Sequence, residues 1–359
     1  TLVMVEQQTR PSFIFQRGDY RQPGDPVQPG IPALFRTAQQ TPQPRNRLEL
    51  AQWLVSPQNP LAARAAVNRW WAELFGTGLV TTPEDLGSRC DPPSHPELLD
   101  WLAVELQEHG WSMKHLLRSI VLSRTWQQSA HGSPELLQID DQNRLLARGP
   151  TFRMDAEMIR DHLLAVSGLL DHRQFGPPIR PPQPAGFWSK IGGQQYDYEV
   201  SDGSEKYRRS IYIVIKRSAI HPSLATFDGP ARFACTVQRS RTSTALQALA
   251  LLNEPVAATA AAALAAKLLN STTDSTDQQR ITTGFQLCTA RTPQPQELQV
   301  LLQLLQQQRN SLLHRPTDVA LINNSSPENS TPPTDPLEQA AWTTLATVLL
   351  NLHETSTRP

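Results

Sequence analysis

Seven prolines, Pro11, Pro23, Pro26, Pro29, Pro32, Pro42 and Pro44, stand within the first 44 residues, and no helix persists through such a run. Each ring fixes φ, removes a backbone donor and pushes the preceding residue out of the helical region. Residues 1–44 therefore read as an extended arm, with turns at Pro23-Gly24 and Pro29-Gly30 and a short strand near residues 12–16. Arg17-Gly18-Asp19 within the arm reads as a turn and not as an adhesion motif.

From Arg47 onward the prolines mark the ends of helices. Leu48, Leu50, Ala51 and Leu54 belong to a helix that stops at Ser56-Pro57. Asn59 caps a second helix over 61–75, with Pro60 in its first turn and Gly76 and Gly78 at its end. Ala62, Ala65, Ala66, Trp70 and Leu74 are expected near its buried side. Ser94 and Glu97 have capping-box spacing ahead of Leu98, Leu99, Trp101, Leu102 and Leu106. His95 between them reads as a local packing or hydrogen-bonding residue. Ser112 opens another helix, with Leu116, Leu117, Ile120 and Val121 inward, and residues 143–148 form a short helical turn. Beyond Gly149-Pro150, the residues Ala156, Ile159, Leu163, Val166 and Leu170 make an apolar stripe. Arg153, Glu157, Arg160 and Asp161 on that helix are spaced for pairing one turn apart. Glu157 and Asp161 are alternatively the counter-ions of an arginine-rich loop further on.

Residues 175–206 form a Pro/Gly-rich connection carrying Trp188, Tyr196 and Tyr198, and a loop of that length is expected to bind or to cover something. Residues 210–216, SIYIVIK, read as the clearest strand. The arginine-rich loop follows, with Arg232, Arg239 and Arg241 ahead of Thr242, Ser243 and Thr244. Any of these hydroxyls can cap the next helix. Leu246, Leu249, Ala250 and Leu252 are expected as its core-facing stripe. Pro255 opens an alanine-rich helix over 256–269, too short and too interrupted by Lys267 to span a membrane. Further helices are expected at 281–288, 294–313 and 342–352, with a flexible low-complexity excursion at 315–336. The fold class is mainly α: a multi-helix globular domain with a small β element near 210–216 and long Pro/Gly-rich loops. The division expected is an arm (1–44), a helical core (45–270, with the loop 175–206 inserted) and C-terminal helices (271–359).

Formal net charge is zero, without the basic excess of a dedicated nucleic-acid binder. Cys90, Cys235 and Cys288 lie far apart in no C-x-x-C or C-x-x-C-H pattern, so neither a zinc knuckle nor attached haem is encoded; one disulfide would leave one thiol over. His109 and His115 are six residues apart, the wrong interval for one helix face, and no metal site is expected. No nucleophile elbow or phosphate-cradling glycine loop occurs. The N-terminus has no basic start before an apolar core, hence no signal peptide, and the chain opens within what reads as an extended segment of a longer polypeptide.

The stretches RLELAQWLVSPQNPLAARAAVNRWWAELFGTGLV, PEDLGSRCDPPSHPELLDWLA, FRMDAEMIRDHLLAVSGLL, YRRSIYIVIKRS and ARFACTVQRSRTSTALQALALLNEP, taken together, resemble the planctomycete-specific C-terminal domain family, the domain of unknown function numbered 1553. The resemblance runs from about residue 3 to residue 354. Ser243 and Ala245 stand where members commonly carry asparagine and proline, and Leu86 where they carry phenylalanine. The resemblance implies an exported protein, at the periplasm or cell surface, with a c-type cytochrome module often upstream. No cofactor is then expected in this chain, and haem c belongs to an upstream domain. The family supplies no biochemical role.

Two functions follow. In the first, the domain belongs to a cytochrome-linked redox protein that acts on or binds extracellular anionic carbohydrate. Arg208, Arg209, Arg239 and Arg241 would then hold the anion, with Trp188 and Tyr196 stacking on the sugar. Glu157, Asp161, His162, His221 and Asp228 are the acid/base groups available for catalysis. In the second, the domain is a non-catalytic helical scaffold packing against an upstream domain, and the arginines pair with carboxylates of their own chain.

Overall fold

A computed structural model describes residues 3–5, 10–35, 44, 46–87, 89–184, 186–188, 197–270, 275–327 and 335–358. The chain divides into two units, residues 1–149 and 150–359.

The first unit opens with the antiparallel strands β1 (Ser12–Phe15) and β2 (Pro23–Val27), the β element expected in the arm. Five helices follow: α1 (Arg47–Leu54), α2 (Pro60–Phe75), α3 (Pro96–Glu108), α4 (Met113–Val121) and α5 (Pro134–Ile139). Asn59 caps α2 by accepting from the amides of Leu61 and Ala62, and Gly76, at φ 81°, ends it. The buried row of α2 is Ala63, Val67, Trp71 and Phe75, one residue along from the expected Ala62, Ala66, Trp70 and Leu74. Both rows are apolar, and the one holding Val67 and the stacked rings of Trp71 and Phe75, 4.1 Å apart, faces Leu99, Leu102, Leu106, Leu116 and Ile120. Buried Asn68 binds the amide and the carbonyl of Val80, and Gly78 passes so close that a Cβ there would stand 2.6 Å from that carbonyl. The capping box at Ser94 does not form. Pro96 takes the first helical position, so His95 becomes the cap residue and the Ser94 hydroxyl pairs with its ring at 3.0 Å.

The second unit is built on α6 (Ala156–Ser167), α7 (Pro222–Thr226), α8 (Ala245–Asn253), α9 (Pro255–Asn270), α10 (Asp277–Thr289), α11 (Pro295–Leu313), α12 (Pro316–Asn323), α13 (Pro336–Leu350) and α14 (His353–Ser356). Alanine-rich α9 lies against α13, with Ala260, Ala261, Leu264 and Ala265 meeting Ala341, Trp342, Leu345 and Ala346 in one buried cluster. Small side chains let these helices approach closely, and α6, α10 and α11 complete the layer around them. The helices after residue 271 thus share one core with those before it. A two-residue ribbon, β3 (Phe152–Arg153) with β4 (Thr357–Arg358), ties the C-terminal end to the entry of α6.

Two expected elements differ. Residues 210–212 make a 3-10 turn and not the start of a strand, and Ile213 pairs singly with Ile179. The β-branched and aromatic run of 210–216 buries Ile213 with Ile179 in place of sheet formation. Residues 316–323 are helical where a flexible excursion was expected, Pro316 starting the helix; 328–334 lie outside the described residues. Among the described residues no single helix is long and apolar enough to cross a membrane, and Cys90, Cys235 and Cys288 are unpaired.

Candidate functional site

The arginine-rich loop closes on the N-terminus of α6. Asp155 precedes that helix and Glu157 lies in its first turn, where helix polarity favours acids. Arg239 donates to both oxygens of Glu157, at 2.6 and 3.2 Å, and lies 3.6 Å from Asp155. Arg241 reaches Asp155 at 3.4 Å with its guanidinium 4.5 Å above the Phe152 ring. Burial is the largest single influence and works to raise the Glu157 carboxyl, but the Arg239 hydrogen bonds, the backbone amide of Glu157 and the charges of Arg239 and Arg232 together hold the group below its ordinary value. Asp228, in a left-handed conformation at φ 61°, accepts from the amide and the hydroxyl of Thr242, both at 2.8 Å. The loop is thereby fixed at both ends before α8 begins.

Thr244 and Gln247 form a reciprocal capping box at the start of α8. The same Gln247 is buried and donates to Thr226 O and Thr242 Oγ1, both at 3.0 Å. That anchorage turns α8 so that Gln247 and Leu251 face inward, while Leu246, Leu249 and Leu252 are 64%, 54% and 45% exposed. Of the stripe expected in the core, Ala250 packs against it and the three leucines are on the surface.

A second cluster lies further along α6. Arg160 is buried, and its Nη atoms donate to Arg208 O (2.9 Å), Ser210 Oγ (3.1 Å) and Lys206 O (2.6 Å). Burial pulls its guanidinium below the ordinary value. Arg208, also buried, donates to the carbonyls of Phe175 and Pro177 and lies 4.1 Å from the Tyr212 ring centroid. Asp161 accepts from Ser210 N at 2.6 Å and from the exposed Arg209 at 3.3 Å. His162 Nε2 lies 3.3 Å from Cys288 O, and burial lowers its imidazole. His221 Nε2 faces Pro182 O at 3.0 Å, so that nitrogen carries the hydrogen and Nδ1 accepts from Ser223 Oγ at 2.7 Å. Ser223, Arg160 and Glu254 border a cavity of about 20 Å³, room for a single water. Burial raises the Glu254 carboxyl, whose Oε2 accepts from Ala257 N at 2.9 Å.

In the loop, Trp188 is buried, set edge-on to Tyr198 at 4.8 Å, with Lys216 Nζ 5.0 Å from its ring centroid. The Tyr198 hydroxyl donates to Pro181 O at 2.5 Å, and burial pushes its pKa up to about 12. Tyr196 lies outside the described residues.

The structure thus brings Glu157, Arg239 and Arg241 into one cluster and gathers Asp161, Arg208 and Arg209 around Arg160. Asp228, His162 and His221 each bond elsewhere. Two participants carry more than the sequence assigned them: Asp155, which bridges two arginines, and Arg160, which holds three backbone or hydroxyl oxygens. Asp155 was signalled by its place beside Glu157 just before a helix; Arg160, four residues after Ala156 and three before Leu163, was signalled by its place on the apolar stripe.

No curated protein and no solved structure matches this chain. A family model described as Protein of unknown function (DUF1553) matches residues 46–305, well over half the chain, and the chain belongs to that family.

Proposed function

We propose that this chain is a non-catalytic helical assembly module that docks on an upstream domain of its own polypeptide through the outer face of α8. One observation carries the reading: the arginines that would grip an anion already direct their donors to Asp155, Glu157, Asp161 and backbone carbonyls. An anion entering there would have to displace Glu157, held by a two-point hydrogen bond from Arg239, and the carboxylates paired with Arg241 and Arg209. The same contacts leave Leu246, Leu249 and Leu252 as an apolar face on a helix whose orientation is fixed by Gln247. In an exported protein with a c-type cytochrome module upstream, such a face would set the distance between that module and its neighbours.

The carbohydrate-directed redox reading has one observation in its favour. Among the described residues Trp188 Nε1 is buried with no hydrogen-bond partner, beside Tyr198 and Lys216, an aromatic and cationic group of the kind that holds an acidic sugar. A single experiment separates the two: titration calorimetry with sulfated, carboxylated and neutral oligosaccharides, on the wild type and on an Arg239→Ala, Arg241→Ala variant. The assembly reading expects no saturable heat from any sugar and a variant that melts well below the wild type. Saturable binding that a folded variant loses would overturn it. Co-expression with the upstream domain then tests docking, which Leu249→Asp is expected to abolish.

A further inference from the structure

The turn between α3 and α4 gathers three metal-ligating side chains that no sequence interval announced. Glu105 and His109 sit one turn apart at the end of α3, and His115 lies in the first turn of α4. Gly110 and Trp111, at φ 63° and 60°, reverse the chain between them. Six residues would separate the two imidazoles on one helix; the reversal instead stacks their rings at 3.8 Å and 11°. His115 Nε2 is 2.8 Å from Glu105 Oε1, and His109 Nδ1 is 3.3 Å from the same oxygen, all three donor atoms lying within 4.8 Å of one another.

We propose that Glu105, His109 and His115 form a binding site for a divalent cation of the zinc class. Ligands at about 2.0–2.1 Å around a tetrahedral zinc are roughly 3.3 Å apart; the His109-to-Glu105 distance of 3.3 Å matches that separation, and the His115-to-Glu105 distance of 2.8 Å would lengthen by about half an ångström. Two imidazoles and one carboxylate are a borderline donor set, suited to zinc and unsuited to magnesium or calcium. The cation would lie at the C-terminal end of α3, where the last carbonyls favour positive charge. Core residues Leu102, Leu106, Leu116 and Ile120 hold the two helices in register beneath it. The stack must open for both ring nitrogens to point at one ion, and His109, 44% exposed, is the ring on the outside that turns. With Glu105 and His115 also reachable by solvent, at least one coordination position stays open to water, as in sites that do chemistry or bridge to a partner.

The test is calorimetric titration of the untagged, chelator-treated chain with zinc chloride, alongside Co(II) absorption spectroscopy. One equivalent is expected to bind with a dissociation constant of about 10 µM or tighter, with visible Co(II) bands of a four-coordinate site and a raised melting temperature. His109→Ala and His115→Ala are each expected to weaken zinc binding at least tenfold, and Glu105→Gln to weaken it likewise. Circular dichroism checks that each variant is folded; His109→Ala, at the exposed position, keeps the test valid if His115→Ala does not fold. No saturable binding up to about 1 mM zinc, or equal binding by wild type and the folded His109→Ala variant, would overturn the site and leave a hydrogen-bonded cluster only.

Discussion

Side by side on α6, Arg160 and Asp161 lie within 3.9 Å of each other, yet their hydrogen bonds go to a segment far along the chain. Spacing along the helix offered Arg153, Glu157, Arg160 and Asp161 as mutual partners; in the fold Glu157 goes to Arg239, Asp161 to Ser210 and Arg209, and Arg160 to the carbonyls of Lys206 and Arg208. The charges were legible, and Glu157 and Asp161 as counter-ions of later arginines were legible as an alternative. Arg160's place on the buried stripe was legible too, between Ala156 and Leu163, but its partners were not, because they lie on the 206–210 segment some fifty residues away. Replacing Arg160 by methionine would strand two buried carbonyls and the Ser210 hydroxyl, a loss of about 3 kcal/mol in a urea unfolding series. Arg209→Ala, at an exposed guanidinium with one long hydrogen bond, is expected to cost under about 1 kcal/mol. His221 gives a pH signature at the same scale. Burial depresses its folded-state pKa below the ordinary 6.5. The unfolded chain therefore takes up the proton first. Its contribution is whole above about 6.5 and falls as pH drops below that value. Unfolding midpoints measured from pH 7.5 to 5 should decline in the wild type and decline less steeply in His221→Asn, whatever the variant's absolute stability.

At the level of elements, helices were readable where prolines and caps agreed, and their faces were not always readable. Asn59-Pro60, Ser112 and Pro255 each start a helix at the expected place. The faces of α2 and α8 shifted for a common reason: in each, two rows of apolar residues competed, and a polar residue with a tertiary partner decided the rotation. In α2 that residue is Asn68 bound to Val80, and in α8 it is Gln247 bound to Thr226. Hydrophobic periodicity cannot rank two apolar rows. Residues 210–216 failed as a strand for a related reason, since β-branched residues fit a 3-10 turn and isolated bridges, at Ile213 and Lys216, as well as a ladder. The rotation of α8 makes a sharp prediction. Leu251→Ala should lower stability by about 2–4 kcal/mol because it empties a buried site, whereas Leu249→Ala should stay within about 0.5 kcal/mol. Urea denaturation of the two variants checks it, and equal losses would mean that α8 is turned the other way.

Across the second unit as a whole, one source of stability against acid lies at the two ends of α11. At one end Arg291, just after α10, binds Glu297 from the first turn of α11 and Glu354 from α14. At the other end Arg309 binds Asp277 from the first turn of α10 and Glu338 from the first turn of α13. Each arginine thus fastens two elements that the chain separates by tens of residues, and together they clasp α10, α11, α13 and α14 around the alanine-rich core. None of this was legible in the sequence, where the acids fall within separate helix starts and read as favourable first-turn residues and nothing more. Their double use has a consequence for pH. The Arg291 hydrogen bonds hold Glu297 at about 2, against an ordinary value of 4.5, and Arg309 holds Asp277 below its ordinary value as well. In both cases the folded state binds the proton less readily than the unfolded chain. The contribution is therefore whole above the ordinary carboxyl range and is withdrawn as pH falls from about 4.5 toward 2. Because these groups are partly exposed, salt screens the effect, and raising ionic strength should shrink the acid loss. A thermal melt followed by circular dichroism at pH 7, 4.5, 3.5 and 2.5 should show little change across the first pair and a steep decline below it. Glu297→Gln should begin from a lower melting temperature at pH 7 and lose less of it on acidification, since its carboxylate is no longer there to be protonated. A variant that falls in parallel with the wild type over the whole range would place the acid sensitivity in other carboxylates and remove Arg291 from the clasp.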